Sequence, residues 1–168
     1  MAYLHHLDNL YKNQEVLLFK EVFCLEKIHG TNVCICFKDN NLRFLSGGEK
    51  HENFIALFDQ EFLINKFKEI GKDDITIFGE AFGGKQQGMK ETYGDKLKFI
   101  AFDVRIGYAW LSVPQAEAFV KNLGLEFVDY VKTSTNLKDL DFERDKDSVQ
   151  AIRNGCGPGK LREGIVIR

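Results

Sequence analysis

Residues 16–38 read VLLFKEVFCLEKIHGTNVCICFK, and the fold turns on this stretch. Its first half, 16–27, is an apolar run that ends on Glu26-Lys27, and it predicts a strand region. A break follows at His29-Gly30. Beyond it, Val33, Ile35 and Phe37 alternate with Cys34 and Cys36, the period-two pattern of a strand whose two faces differ. Asp39-Asn40-Asn41 then supplies a hairpin turn, because Asp and Asn tolerate left-handed backbone angles. Residues 42–45 return as the partner strand. In this frame Lys27 stands at the edge of a core, two residues before a turn.

Working outward, residues 52–70 place Phe54, Leu57, Phe58, Phe62, Ile64, Phe67 and Ile70 mostly three and four apart. That spacing predicts one amphipathic helix. Residues 74–84 predict a strand ending in a glycine-rich bend, and 97–106 predict another. A helix over 114–122 begins at Pro114 and is closed by Gly124. A short strand covers 126–131, partly helical polar sequence covers 139–154, and 155–159 form a loop. One more strand starts at Gly164. Residues 1–13 carry no firm pattern. The order predicts a single α+β domain over 1–168, with mixed, mainly antiparallel sheets and flanking helices. Its last strand pattern is cut short, so a C-terminal truncation is expected.

The chain of 168 residues is 44% hydrophobic and 29% charged, an ordinary globular balance. Fifteen phenylalanines against one tryptophan predict a Phe-rich interior. The formal net charge of −2 excludes nucleic-acid binding by bulk charge alone. RNA would need basic residues gathered on one face, drawn from Lys12, Lys20, the loop between Lys85 and Lys90, and the stretch from Lys160 to Arg162. The four cysteines, Cys24, Cys34, Cys36 and Cys156, lack zinc-ligand spacing. Buried reduced thiols are expected, and with them an intracellular protein, cytoplasmic or in the cytoplasm of a virus-infected host. No apolar run approaches the roughly 18 residues of a membrane helix, and no signal peptide is evident.

Four short motifs carry the chemistry. In Glu26-Lys27-Ile28-His29-Gly30-Thr31-Asn32 a lysine ends a strand. A lysine amine attacks phosphorus only when unprotonated, and its reference pKa is about 10.4, so a catalytic lysine needs cations or burial nearby. Read alone, the heptad is as well explained by an exposed lysine at a strand-to-turn junction. In Phe78-Gly79-Glu80-Ala81-Phe82, Glu80 sits among apolar neighbours on the strand face of Phe78 and Phe82. It needs a partner there: backbone, ligand hydroxyl or metal. Asp103 interrupts an apolar strand beside Phe102, whose ring could face a purine or simply fill the core. Glu163 precedes Gly164 and an apolar strand, with Ile165 and Ile167 on its own face and Val166 and Arg168 on the other. Each signal alone has a bland alternative; four in this order make a plain structural domain a poor bet. One strand-edge lysine, three strand-borne carboxylates and an aromatic suit in-line displacement at a phosphorus, assisted by Mg²⁺ or Mn²⁺.

The ordered set resembles the covalent nucleotidyltransferases, the polynucleotide ligases and mRNA capping enzymes. EKIHGTN looks like their nucleotidyl-lysine motif, KxDG, with His29 in place of the usual aspartate. With Gly30-Thr31-Asn32 it is similar to the T4 RNA ligase 2 branch, which includes the kinetoplastid RNA-editing ligases. FGEAFGG, AFDV and REGIVIR follow in the family's order, and the resemblance spans about residues 20–168. It implies the ATP-grasp-like ligase adenylation fold and an ATP-dependent RNA ligase, with RNA repair, editing and viral defence evasion all open as its role. Lys27 would take AMP from ATP, with His29 assisting. Glu26, Ile28 and Asn32 would orient the nucleotide, Glu80 would contact the ribose, and Phe102 would stack on adenine. Asp103 and Glu163 would serve the metal, and Arg168 would sit near phosphate. The partners implied are RNA ends, a 5′-phosphate and a 3′-hydroxyl, with the protein a monomer.

Two features depart from that pattern. The family's Ser-Arg pair is here Ser46-Gly47, so Lys50 or Arg43 must substitute for its arginine. A final strand with two phosphate-binding lysines has no counterpart up to Arg168, which predicts weak or lost self-adenylylation unless the chain is a fragment or a partner supplies the lysines. The alternatives are a non-catalytic nucleotide- or RNA-end-binding remnant, and a DNA ligase or capping enzyme of the same fold. His29 and Thr31-Asn32 weigh against the last.

Overall fold

The computed structural model describes residues 8–168; Met1 to Leu7, part of the unassigned 1–13 segment and of the expected 1–168 domain, lie outside the described residues. A 3₁₀ turn, Glu15–Leu18, leads into β1 (Glu21–Lys27) and β2 (Thr31–Lys38). Then come β3 (Asn41–Ser46), α1 (His51–Ile55), α2 (Gln60–Ile70), β4 (Ile75–Phe82), a 3₁₀ turn at Gln86–Gly88 and α3 (Lys90–Tyr93). The chain continues through β5 (Lys98–Ile106), β6 (Ala109–Trp110), α4 (Val113–Asn122), β7 (Tyr130–Ser134), α5 (Leu137–Arg144), α6 (Val149–Arg153) and β8 (Gly164–Ile167). Among the described residues no helix is long and apolar enough to cross a membrane.

The strands form two antiparallel sheets. One has the order β7-β1-β8 and the other β3-β2-β4-β5-β6. β1 and β2 are consecutive in the chain yet belong to different sheets, so Ile28-His29-Gly30 carries the chain across the gap between them. The expected α+β class with mainly antiparallel sheets is observed. The β2–β3 hairpin turns through Asp39 and Asn40, both at positive φ (50° and 58°), which suits a primed two-residue turn.

The main core lies on one face of the larger sheet. Val33, Ile35 and Phe37 of β2 join Ile75, Ile77 and Ala81 of β4 there, against Phe54, Leu63 and Phe67. Phe37 stacks on Phe67 with centroids 4.9 Å apart. Cys34, Cys36 and Phe78 occupy the opposite face, which is the face that matters for the site. All four cysteines are free thiols.

Five local expectations are corrected. Residues 16–20 are not strand: Val16 and Leu17 pack under the smaller sheet while Leu18 and Phe19 are exposed, an uneven burial that an alternating strand would not give. The single helix over 52–70 is two. The side chain of Asp59 accepts a hydrogen bond from the Phe62 amide at 3.0 Å and starts a new helix, a capping preference strong enough to interrupt the apolar period. The break lets Phe54 and Phe58 both meet Phe44. The strand expected over 126–131 begins at Tyr130; upstream of it Phe127 makes an isolated parallel bridge with Ala101. Phe82 does not share the face of Phe78 and Glu80, because at the strand end it turns into the main core against Tyr93. Glu163 likewise leaves the face of Ile165 and Ile167, as described below.

Candidate active site

Alternation along β1 assigns its side chains. Val22 and Cys24 face the smaller core, whereas Phe23 and Leu25 face the larger one. Lys27, next in the second series, therefore points into the space between the sheets. On β8 the register pairs Leu25 with Val166 and Lys27 with Gly164. Gly164 has no side chain to cover the lysine. Glu163, which precedes the strand proper, bends in to pair its carboxylate with the Lys27 amine, while Ile165 and Ile167 pack on the other face.

The larger sheet supplies the opposite wall. Asn32 on β2 lies across from Glu80 on β4 in the ladder. Between β4 and β5 the register slips: Phe78 faces Asp103 but Gly79 faces Ala101. Phe102 is the extra residue of a β-bulge, a device that re-aims side chains beside functional sites. Phe102 consequently lines the cavity although Asp103, its neighbour, also reaches this side and pairs with Arg168 of the other sheet.

The result is a cavity of about 510 Å³ between the sheets, within the usual range for small-molecule sites. Lys27, Ile28, His29, Asn32, Glu80, Phe102, Glu163 and Arg168 all line it. Glu26 lines it too, but its carboxylate is committed elsewhere. It accepts the Ser148 hydroxyl and the amides of Val149 (3.0 Å) and Gln150 (3.2 Å), at the start of α6. Asp103 is buried beneath Arg168. Lys50, exposed before α1, is not among the lining residues, and Arg43 opens into a different cavity. Arg162, one of the basic candidates for RNA, is buried and held by the backbone of Glu143 and Asp147.

Burial sets the electrostatics. It pushes the Glu80 carboxyl up to about 8, helped by the nearby charge of Glu163 and opposed by Lys27 and the Gly30 amide. Near neutrality Glu80 is thus largely protonated in the ligand-free protein and can donate as well as accept. Burial also raises Asp103, with Arg168 pulling the other way, and raises Glu26 against Ser148, Arg162 and the α6 amides.

Sequence reading missed Gln87, Val128 and Tyr93. Gln87 lies at positive φ in the 3₁₀ turn and reaches the cavity rim. Its neighbour Gln86 accepts the Thr31 hydroxyl at 2.7 Å, tying that turn to the segment after Lys27. The buried hydroxyl of Tyr93 accepts the backbone N–H of His29 at 3.4 Å. Gln87 lies in a 3₁₀ turn and Tyr93 in a helix of one turn, too short for periodicity to show, and Val128 reads in the sequence only as part of a strand.

Two sheets with a lysine at their crossing and carboxylates on both walls have the layout of a nucleotidyltransferase domain. The chain belongs to the RNA ligase family, whose profile matches residues 20–168. Solved structures of Naegleria gruberi RNA ligase share the fold. A variant with ATP and Mn superposes with a TM-score of 0.72 at 16% identity, covering 95% of this chain and 49% of that one. An apo variant gives 0.71 at 19% identity with the same coverage, and a variant with AMP and Mn gives 0.71 at 16%. The chain therefore spans about half the length of these solved relatives. No curated protein sequence matched it.

Proposed function

We propose that this chain is the adenylate-forming part of an ATP-dependent RNA ligase, with Lys27 as the nucleophile. One observation carries the reading: the Lys27 amine is fixed by Glu163 on the wall of a nucleotide-sized cavity that also presents Glu80 and Phe102. In support, the family is RNA ligase and structural relatives have been solved with ATP or AMP and Mn.

The residues divide the work as follows. Phe102 offers a ring face to adenine. Glu80, protonated or shared with a hydroxyl, holds the ribose. Ile28, His29 and Asn32 shape the floor beside the α-phosphate, and Arg168 brings positive charge to the phosphates from its seat on Asp103. The neutral amine of Lys27 bonds to the α-phosphorus, the bond to the pyrophosphate oxygen breaks, and pyrophosphate leaves with the electron pair. The nitrogen then sheds a proton, for which the Glu163 carboxylate is the adjacent acceptor. Among the described residues no group of three or more His, Cys, Asp or Glu side chains forms a metal cage. Mg²⁺ binds through one or two carboxylates plus substrate phosphates; Glu163 is the carboxylate placed to share such an ion, with Asp103 behind Arg168. A bound cation would neutralise phosphate charge and compete with the ammonium for Glu163, favouring the nucleophilic amine. In the whole protein the adenylate would pass to an RNA 5′-phosphate, and a 3′-hydroxyl would displace AMP to seal the strand.

Intact-mass analysis of the whole protein, including any lysine-bearing strand beyond these residues, after incubation with ATP and Mg²⁺ or Mn²⁺ tests this reading. An AMP adduct mapping to Lys27, and lost in Lys27→Ala, is expected. Reversible nucleotide binding without an adduct, or an adduct that persists in Lys27→Ala, overturns it.

A further inference from the structure

The nucleotide cavity occupies one end of the larger sheet's face that carries Cys34, Cys36 and Phe78. The other end of that face holds a second cavity, of about 340 Å³. Along β2, Asn32 belongs to the first and Cys36 to the second, a separation of about 13 Å in extended chain. Lys38, Arg43 and Arg105 line the second cavity with a single carboxylate, Asp74. Lys38 engages that carboxylate at 3.1 Å. Neither arginine is in an ion pair among the described residues, and the buried Nε of Arg105 donates to no described acceptor. The guanidinium of Arg105 instead rests 5.9 Å from the Phe78 ring centroid and 5.8 Å from that of Trp110. Ring contacts of this kind consume no hydrogen-bond donors, so its fork stays available for an anion.

Two guanidinium groups around one cavity suit a phosphate, which arginine can bind bidentately. The rim suits a polymer better than a free ion. Tyr108, which lines the cavity, is fully exposed, and Trp110, beside Arg105, is partly so; exposed aromatics stack on unpaired bases. The two cavities are also joined. Arg168, which lines the first, lies 5.9 Å from the same Trp110 ring that Arg105 meets. A run of Arg168, Trp110, Arg105 and Arg43 thus leads from the nucleotide cavity across the sheet.

We infer that the second cavity seats a backbone phosphate of the RNA substrate strand, with an unpaired base stacked on Tyr108. The identity of the polymer rests on the ligase reading; the anion site itself does not. Fluorescence anisotropy with a single-stranded, 5′-phosphorylated oligoribonucleotide tests it, alongside calorimetric titration of ATP. Arg43→Glu, on the exposed edge strand β3, is expected to weaken RNA binding at least tenfold with ATP affinity unchanged. Its slope of log K against log salt is expected to fall by about 0.7 for each phosphate that the variant no longer neutralises. Arg105→Gln and Tyr108→Ala are expected to weaken RNA binding in the same direction. RNA affinity and salt slope preserved in Arg43→Glu overturn the inference, as does competition by inorganic phosphate at concentrations equal to those of RNA. Weaker RNA binding in Arg43→Glu supports it even if wild-type protein forms no lysyl adduct, which separates its failure from that of the ligase reading.

Discussion

A single hydrogen atom decides the shape of the turn after Lys27. A Cβ on Gly30 would lie 2.3 Å from the Ala81 carbonyl oxygen and 3.0 Å from Cγ of Glu80. The obstacle at 2.3 Å is backbone in the middle of a sheet, so it cannot swing away. Gly30→Ala is therefore expected to cost about 1–3 kcal/mol, the usual range for overpacking, read as a lowered melting temperature. It should also weaken nucleotide binding, because the displaced turn carries His29 and presses on Glu80. In the sequence Gly30 marks only the break after Lys27; in the fold the β4 backbone comes up against it. Lys27, Glu80 and Glu163, which line the cavity, stand out in the sequence because each is a charged residue within or beside an apolar strand; Phe102 stands out only as the neighbour of Asp103, which interrupts one. Gln87, at the cavity, and Tyr93, buried at the end of α3 beneath His29, do not, since nothing in their local sequence marks contact with the cavity or with the segment after Lys27.

At the scale of elements, Glu26 is the link between β1 and α6. Its carboxylate gathers one hydroxyl and two amides at the helix start, where the backbone has donors without partners. Glu26→Ala would strand those donors in a buried place. A loss of about 1.5–3 kcal/mol, the scale of hydrogen bonds to a charged group, is expected in denaturant unfolding. Ser148→Ala should reproduce part of that loss. A variant that binds ATP more weakly with unchanged stability would instead assign Glu26 to the nucleotide. The strands of the larger sheet were readable from period-two patterning, and the β2–β3 turn from Asp39-Asn40. The break between α1 and α2 was hidden because the apolar spacing continues almost unchanged across it, while Asp59 alone signals the restart. β7 was placed too early because residues 126–131 are apolar for a different reason: Phe127 and Val128 are buried in the main core, in extended chain that bridges β5 only at one point.

For the molecule as a whole, the cavity between the sheets has a cost that depends on pH. Glu80 holds its proton to about pH 8 in the folded, ligand-free protein, whereas an unfolded glutamate releases it near pH 4.3. Between those values the folded state binds more protons than the unfolded one, so stability falls as pH rises. Thermal melts of ligand-free protein from pH 5 to 8 are expected to show that decline, and Glu80→Gln is expected to flatten it. A steepening slope in Glu80→Gln would mean that another group controls the titration.

Because β1 and β2 part company at Ile28, the proposed nucleophile and the two carboxyls beside it do not travel together. Lys27 and Glu163 ride on the smaller sheet, while Glu80 and Phe102 ride on the larger. Any breathing of one layer against the other leaves the amine beside Glu163 but changes its distance from the base and sugar seats. Alignment for attack is then a property of how far the halves are apart, and a molecule bridging them would tune it without touching the lysine.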